Sequence, residues 1–475
     1  MQASSDSADS IERGDDLRGF LQTLRRRGEP MVRFTREVQR EHELAAVVKL
    51  LERHGDPVVC FERVAGSDMP VVVGAHGSRS RIAAALGCTV ETAVEEFLRR
   101  IAHPLAPVEV EGGPVKDVRL TGTQIDLSHL PIVTHAEHDA GPFITAGVGL
   151  ARDPATGAVN AGIYRMMVKG RDKLVVTNYS DLRTLAERAE GAERPLELVV
   201  SIGHHPAVQI ASQAKLPLDV DSLAVAGALL GTPLEVTAAE TVDAMVPARA
   251  EIVLEGRLVP GARELDGAFG ESPRYYQADA GFVFQVTAVT HRRDAMFLDI
   301  NNVHGEHTTL SVFPAREAQL LQTLRCAFPA AKAVHIPHRS AAMCAYISID
   351  QHHDGEAKQV ILFALGNFPR LKQVIVVDAD VDVSDHEEVV WATITRSQWD
   401  RDLIVVPYTR GTSMDPSSYT LLDRHPSREI YDPAGLTTQV GIDATRPVDA
   451  PFAERADTIP ARFAELNVID DTEPW

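Results

Sequence analysis

Apolar residues recur at helical spacing near the start of the chain. Leu17, Phe20, Leu21 and Leu24 make one such face, and Leu44, Val47, Val48 and Leu51 make a second. Strand-like runs follow at 57–61 and 70–73, and a third helical pattern covers 90–101, with Thr89 placed to cap it. From about Asp117 the periodicity shortens. Short β-rich runs at 144–150, 162–168, 174–177, 282–290 and 296–300 alternate with Gly, Pro, Asp and Asn, and helical segments near 181–188 and 222–230 interrupt them. Many short strands of this kind predict a barrel or strongly curved sheet. Beyond Pro314 the pattern is βαβ-like. A helix over 315–326, a strand over 345–349, a helix over 356–365 and a buried strand over 374–377 are followed by a helix ending at Thr395, opened by a Ser384/Glu387 capping box. The expectation is three units: an N-terminal α/β domain over 1–116, a central β domain over 117–313 and an α/β C-terminal domain over 314–475.

Length and composition fit this division. A chain of 475 residues is too long for one compact core. The net charge of −20 argues against nucleic-acid or anionic-membrane partners, which reward Lys and Arg clusters. Cys60, Cys88, Cys326 and Cys344 are scattered without a CxxC pair, as reduced thiols of a cytoplasmic protein would be. The Ser/Asp-rich start reads as a loose tail without signal-peptide character, and apolar runs such as 223–230 are too short to span a bilayer.

Three segments carry candidate chemistry. In NAGIYRMMV, Asn160 and Arg165 stand five residues apart, on opposite faces of a regular strand, so sharing a site needs a bend, for which Gly162 is suited. Arg165 could grip a carboxylate with two parallel hydrogen bonds, or serve as a structural ion-pair partner. In ELDGAFGES, Gly267 and Gly270 would let Asp266 and Glu271 converge, with Phe269 as an apolar wall, although taken alone the segment reads better as a solvated acidic turn. A carboxylate beside Arg165 stays ionised, whereas one against the apolar wall has its pKa raised and can donate a proton. The third is the Asp378, Asp380, Asp382 alternation, which could hold a divalent cation but reads better as a turn with a helix cap. His204–His205, His304 with His307, and His352–His353 lack zinc spacing, although the Gly305 loop could act as a lid.

Together these segments resemble the UbiD family of decarboxylases, which use prenylated FMN. The resemblance is carried by THAEHDAGPFITAGVGLARDPATGAVNAGIYRMMV, LDGAFGE, VIVVDADVDVSDHEEVVWATITR, MDPSS and GIDAT, in order through most of the chain. It implies a multidomain α/β fold with a split β-barrel at the centre, dimers or hexamers built through the C-terminal domain, and loss of carbon dioxide from an unsaturated, aromatic or heteroaromatic acid. By the same resemblance Arg165, Asp266 and Glu271 form the catalytic network, Glu271 reprotonating the carbon while Arg165 and Asp266 orient substrate and flavin. Position 266 is usually Glu, so Asp shortens the reach by one methylene.

Prenylated FMN, Mn²⁺ and K⁺ are the implied cofactors, with Asn160, Ile163, Tyr164, Arg165, Pro217 and Gln439 placed against the flavin. The metal position departs from the family. Asn160 matches its Asn, but Asp181 stands where a His is expected and Ser222, next to Asp221, where a Glu is expected. Gln439 replaces a Lys two residues before GIDAT. Asp181 can ligate a hard cation; Ser222 is a poor ligand, which Asp221 would have to replace. Two alternatives follow: a flavin-free decarboxylase on the same fold, or a non-catalytic partner subunit.

Overall fold

The computed structural model describes residues 14–177, 180–421 and 435–456. The expected N-terminal tail lies outside the described residues. The helix Leu17–Arg26 opens on Asp16, whose carboxylate accepts from the Gly19 amide at 2.8 Å. Its Leu17, Phe20 and Leu24 enter the same apolar core as Val58, Val59 and Phe61. The helix expected over 90–101 starts at Ala93 behind Thr92, because Thr89 bonds the Thr92 hydroxyl (3.2 Å) rather than the helix amides.

The N-terminal sheet runs in the order Met31–Phe34, Val58–Phe61, Val71–Val73, Phe297–Asp299. Its last strand was expected in the barrel. All three of its side chains are buried and it pairs in parallel with Val71–Val73, so it ties the central chain back onto the first unit. Glu306 adds a second tie, accepting from the amides of Gly74 (3.1 Å) and His76 (2.9 Å).

Among the described residues the central sheet has nine strands. The order is Phe143–Ile144, Met166–Val168, Lys173–Val176, Ala280–His291, Ile252–Leu265, Leu196–Ile202, Val148–Arg152, Val159–Ile163, with Val118–Thr121 alongside Ala280–His291. Val159–Ile163 is thus the last strand at one end, yet it is followed after only Tyr164 and Arg165 by a strand beside the other end. A sheet whose opposite ends are two residues apart in sequence must curl almost shut. The expected run 162–168 is therefore two strands, and the bend lies at Tyr164–Arg165 rather than at Gly162. The expected run 144–150 is broken likewise, at 145–147. Both breaks lie on the seam of the barrel.

The C-terminal sheet is ordered Ala331–His335, Cys344–Ile349, Gln373–Asp378, Leu436–Ala444, Leu403–Arg410, parallel in the middle and antiparallel at both edges. The helix His386–Arg396 is capped by Asp385, whose carboxylate takes the Glu387 and Glu388 amides; Ser384 bonds Asp382 instead. Asp378 and Asp380 pair with Arg396 and Arg446, so the acidic alternation is a turn neutralised by arginines. No helix among the described residues is long and apolar enough to cross a membrane.

Candidate active site

A cavity of about 320 Å³ opens where the barrel seam meets the C-terminal domain. Its walls include the strand segment Ala161–Arg165, Thr145, Phe269, Glu271, Asn302 and His307, and residues 412–414. Arg165 is buried and surrounded by carboxylates. Its Nε donates to Asp266 at 2.7 Å, Nη1 to Glu271, and Nη2 to Asp279 at 3.0 Å. Its guanidinium lies 5.6 Å from the centre of the Phe269 ring, which packs on Phe143. The expected convergence of Arg165, Asp266 and Glu271 is therefore present in the geometry.

Local structure explains how. Asp266 and Asp279 sit at the ends of the long strands Ile252–Leu265 and Ala280–His291, so the hairpin brings them face to face. Gly267 then turns with φ +81°, where a side chain would strike Ala140. The chain returns toward the cavity at Glu271, whose second oxygen accepts from Asn302 at 3.2 Å. The two acids differ in position. Asp266 is fully buried behind the arginine, and burial pushes its pKa up while Arg165 pulls it down. Glu271 lines the cavity; Asp266 does not.

Val159–Ile163 has a strand on one side only. In an antiparallel ladder alternate residues turn their main-chain groups away from the partner. The amides of Val159 and Ala161 do so, donating to Asp221 (3.2 Å) and to the Ser222 hydroxyl (3.1 Å). The same alternation turns the Ile163 amide outward, in the cavity wall. Tyr164 folds back over Gly162, where any Cβ would meet its ring. Its hydroxyl has its pKa raised by burial and by the charge of Asp181.

The metal position does not assemble. Asn160 Nδ2 lies 3.4 Å from Asp181, but Asp221 spends both oxygens on main-chain amides, those of Leu223 and Ala224 on one and that of Val159 on the other. Ser222 is engaged by Ala161, and none of Asn160, Asp221 and Ser222 lines the cavity. No cluster of three His, Cys, Asp or Glu suited to a metal occurs among the described residues. The side chains present therefore do not fit the expected Mn²⁺ site.

Two further expected contacts lie elsewhere. Gln439 donates to the carbonyls of Leu365 (3.3 Å) and Leu371 (2.7 Å), inside the C-terminal domain, because its strand is paired on both sides and turns the side chain onto the end of the helix Glu356–Asn367. Pro217 is exposed beyond the helix Pro206–Gln213, whereas Ser212, Gln213 and Lys215 of the same region reach the cavity.

Sequence reasoning missed Asp279, Asn302, Lys215, Arg316 and Arg370, and it read His307 only as part of a lid. His307 faces the cavity from the short helix Glu306–Val312, with its pKa lowered to about 4 by burial. Its spacing from Glu271 gives no hint of that in the sequence.

Comparison with known proteins bears on this cavity. Three successive stretches match models of 3-octaprenyl-4-hydroxybenzoate carboxy-lyase: its N-terminal domain over 21–101, its Rift-related UbiD domain over 107–305 and its C-terminal domain over 311–444. Anhydromevalonate phosphate decarboxylase of Methanothermobacter thermautotrophicus is 37% identical over 385 residues, 80% of this chain and 86% of that one. Gallate decarboxylase of Lactiplantibacillus plantarum is 31% identical over 413 residues, 80% and 82% of the two chains. The solved structure of the UbiD-class enzyme HmfF from Pelotomaculum thermopropionicum in complex with FMN superposes with a TM-score of 0.88, at 40% identity over 96% of this chain and 99% of that one. An evolved dimeric form of HmfF, in complex with prFMN, gives 0.84 at 39% identity over 96% and 99% of the two chains. Fold and site thus define a carboxy-lyase. The chain belongs to the UbiD family, and it is a decarboxylase.

Proposed function

We propose that Glu271 is the proton donor of the decarboxylation and that Arg165, held by Asp266 and Asp279, positions the reacting acid. One observation carries this reading: of the carboxylates around Arg165, Glu271 alone lines the cavity. Loss of carbon dioxide breaks a C–C bond and leaves an electron pair on carbon, which a proton must then meet. Glu271 stands between the cavity and a buried guanidinium, where it can deliver that proton and recover another from solvent. Arg165 holds one oxygen of this carboxylate and Asn302 the other, which fixes its direction toward the cavity.

We propose further that prenylated FMN occupies the cavity without the three-ligand metal of the family. The outward amide of Ile163 and the guanidinium of Arg165 suit a polar flavin edge, and Lys215 supplies a cation for the phosphate near Asp181. When bound, this group supplies the electron sink for the carbon that loses its carboxylate. The relatives act on a phosphorylated acid in one case and on gallate in another, so the reading extends to unsaturated and aromatic acids as a class. Assembly into a homo-oligomer through the C-terminal domain is part of the same proposal. The edge strand Leu403–Arg410 and its neighbours expose Ile394, Trp399, Val405 and Tyr408, an apolar surface suited to a second copy.

The test is the Glu271→Gln variant, co-expressed with a flavin prenyltransferase and assayed for carbon dioxide release from cinnamic, hydroxybenzoic and furoic acids. Turnover is expected to fall by about 10²–10⁴-fold with the flavin absorption retained. Activity within about threefold of the unsubstituted protein would remove Glu271 from the role.

A further inference from the structure

The cavity carries more positive charge than the reaction above uses. Arg165, Lys215, Arg316 and Arg370 line it, against the two carboxylates of Asp181 and Glu271. In a chain of net charge −20 such an imbalance is local and built. The charge of Arg165 is already matched by three acids. Arg316 is not. It lies in the first turn of the helix Ala315–Ala327, and among the described residues it has neither a carboxylate partner nor a hydrogen bond. Its Nε is shut off from solvent and unbonded, so the surface it keeps is cavity wall. Arg370, which donates to the Ala341 carbonyl at 3.3 Å, acts on it with a like charge. Burial, with Arg370 beside it, lowers the Arg316 pKa to about 10.

A buried guanidinium left without an anion is costly, and a neighbouring arginine raises that cost. The arrangement is sensible only if an anion arrives with the ligand. We propose that Arg316, with Arg370 beside it, forms a subsite for a second, permanently charged group of the substrate, a carboxylate or a phosphate ester, separate from the carboxylate that is lost. The chemistry separates the two anions. A departing carboxylate becomes neutral carbon dioxide, so a strong cationic grip on it would stabilise the ground state and slow the step. A group that keeps its charge throughout can be held as tightly as the arginines allow, and it anchors the acid without that penalty. His307 belongs to the same wall and feels the charges of Glu271, Arg316 and Arg370, so subsite and proton donor share one cavity.

This inference rests on the cavity being the substrate site. Its source of anion could instead be the cofactor phosphate, and the experiment separates the two. The flavin-loaded protein is titrated calorimetrically with benzoate, isophthalate and terephthalate, and flavin content is read by absorbance in the unsubstituted protein, Arg316→Met and Arg316→Lys. At least one diacid is expected to bind about tenfold or more tightly than benzoate, and Arg316→Met is expected to erase that preference while benzoate affinity and flavin content stay unchanged. Arg316→Lys, which keeps the charge but loses the planar fork, is expected to fall between. Flavin loss in a folded Arg316→Met protein would assign the arginine to the cofactor phosphate and overturn the proposal. Equal affinity for mono- and diacids in the unsubstituted protein would overturn it without any variant. The titration needs no turnover, so an inactive protein that still prefers diacids would refute the proposed proton donor and leave the subsite standing.

Discussion

Asp279 donates its main-chain amide to Oδ1 of Asp266 at 2.7 Å, while Oδ2 of Asp266 and Oδ2 of Asp279 both accept from Arg165. The hairpin end thus works as one acidic clamp. The short side chain of Asp266 is matched by a second aspartate, Asp279, that reaches the outer Nη2.

Removing the charge of one jaw tests this. In Asp266→Asn the arginine keeps Glu271 and Asp279, and its Nε loses a charge-assisted partner inside the protein. Turnover is expected to fall by about 10–100-fold while flavin content holds, since the loss acts on the orientation of Arg165. Steady-state kinetics with absorbance-matched enzyme checks it; unchanged kcat and KM would mean that Asp279 suffices.

Asp221 gives a contrasting case. Its carboxylate caps the helix Ser222–Leu230 and pins the Val159 amide, so Asp221→Ala is expected to cost about 1–2 kcal/mol of stability. Manganese content by elemental analysis is expected not to change, because the side chain is committed to main-chain amides. A drop in bound manganese without a change in denaturant midpoint would restore Asp221 as a ligand.

Acid should weaken the fold from the inside. Burial lowers the pKa of His204 to about 4, of His205 to about 3 and of His307 to about 4. An unfolded chain takes up protons at these positions below about pH 6.5, and the folded one does so only near the lowered values. Their contribution is therefore fully present above about pH 6.5 and is lost as the pH falls toward 4–3. Urea midpoints measured near pH 7 and near pH 5 are expected to differ, the second being lower.

The proposed oligomer has a direct check. Val405 and Tyr408 are 54% and 81% exposed on the outer strand of the C-terminal sheet. The double variant Val405→Lys, Tyr408→Glu is expected to lower the mass seen by light scattering to that of one chain, with thermal melting still cooperative. A monomeric unsubstituted protein would end the proposal at once.

How much of this could be read from the sequence depends on how local each signal is. The helix Ser222–Leu230 was legible to the residue because Asp221 caps it and Gly231 ends it in the left-handed region, at φ 86°. The strand Ile252–Leu265 was not, since its bulges and the charges of Glu255 and Arg257 break the alternation on which strand reading relies. Arg165, Asp266 and Glu271 came through family resemblance; their spacing alone left the structural alternatives open. Asp279 was hidden because only the closed hairpin puts it opposite Asp266. Arg316 was hidden for another reason: AREAQL reads as the solvent-facing turn of an ordinary helix until the packing turns that face inward.

The two-residue step between Val159–Ile163 and Met166–Val168 makes Arg165 part of the architecture as well as the chemistry. Loops elsewhere on the barrel can lengthen and merely bulge into solvent. One residue inserted between Ile163 and Met166 would instead rotate Met166–Val168 to its other face, taking Met166 and Met167 out of register with Lys173–Val176. It would also swing the guanidinium away from its acids. Arg165 is therefore placed by counting residues across a closure, and no side-chain adjustment nearby could substitute for that count.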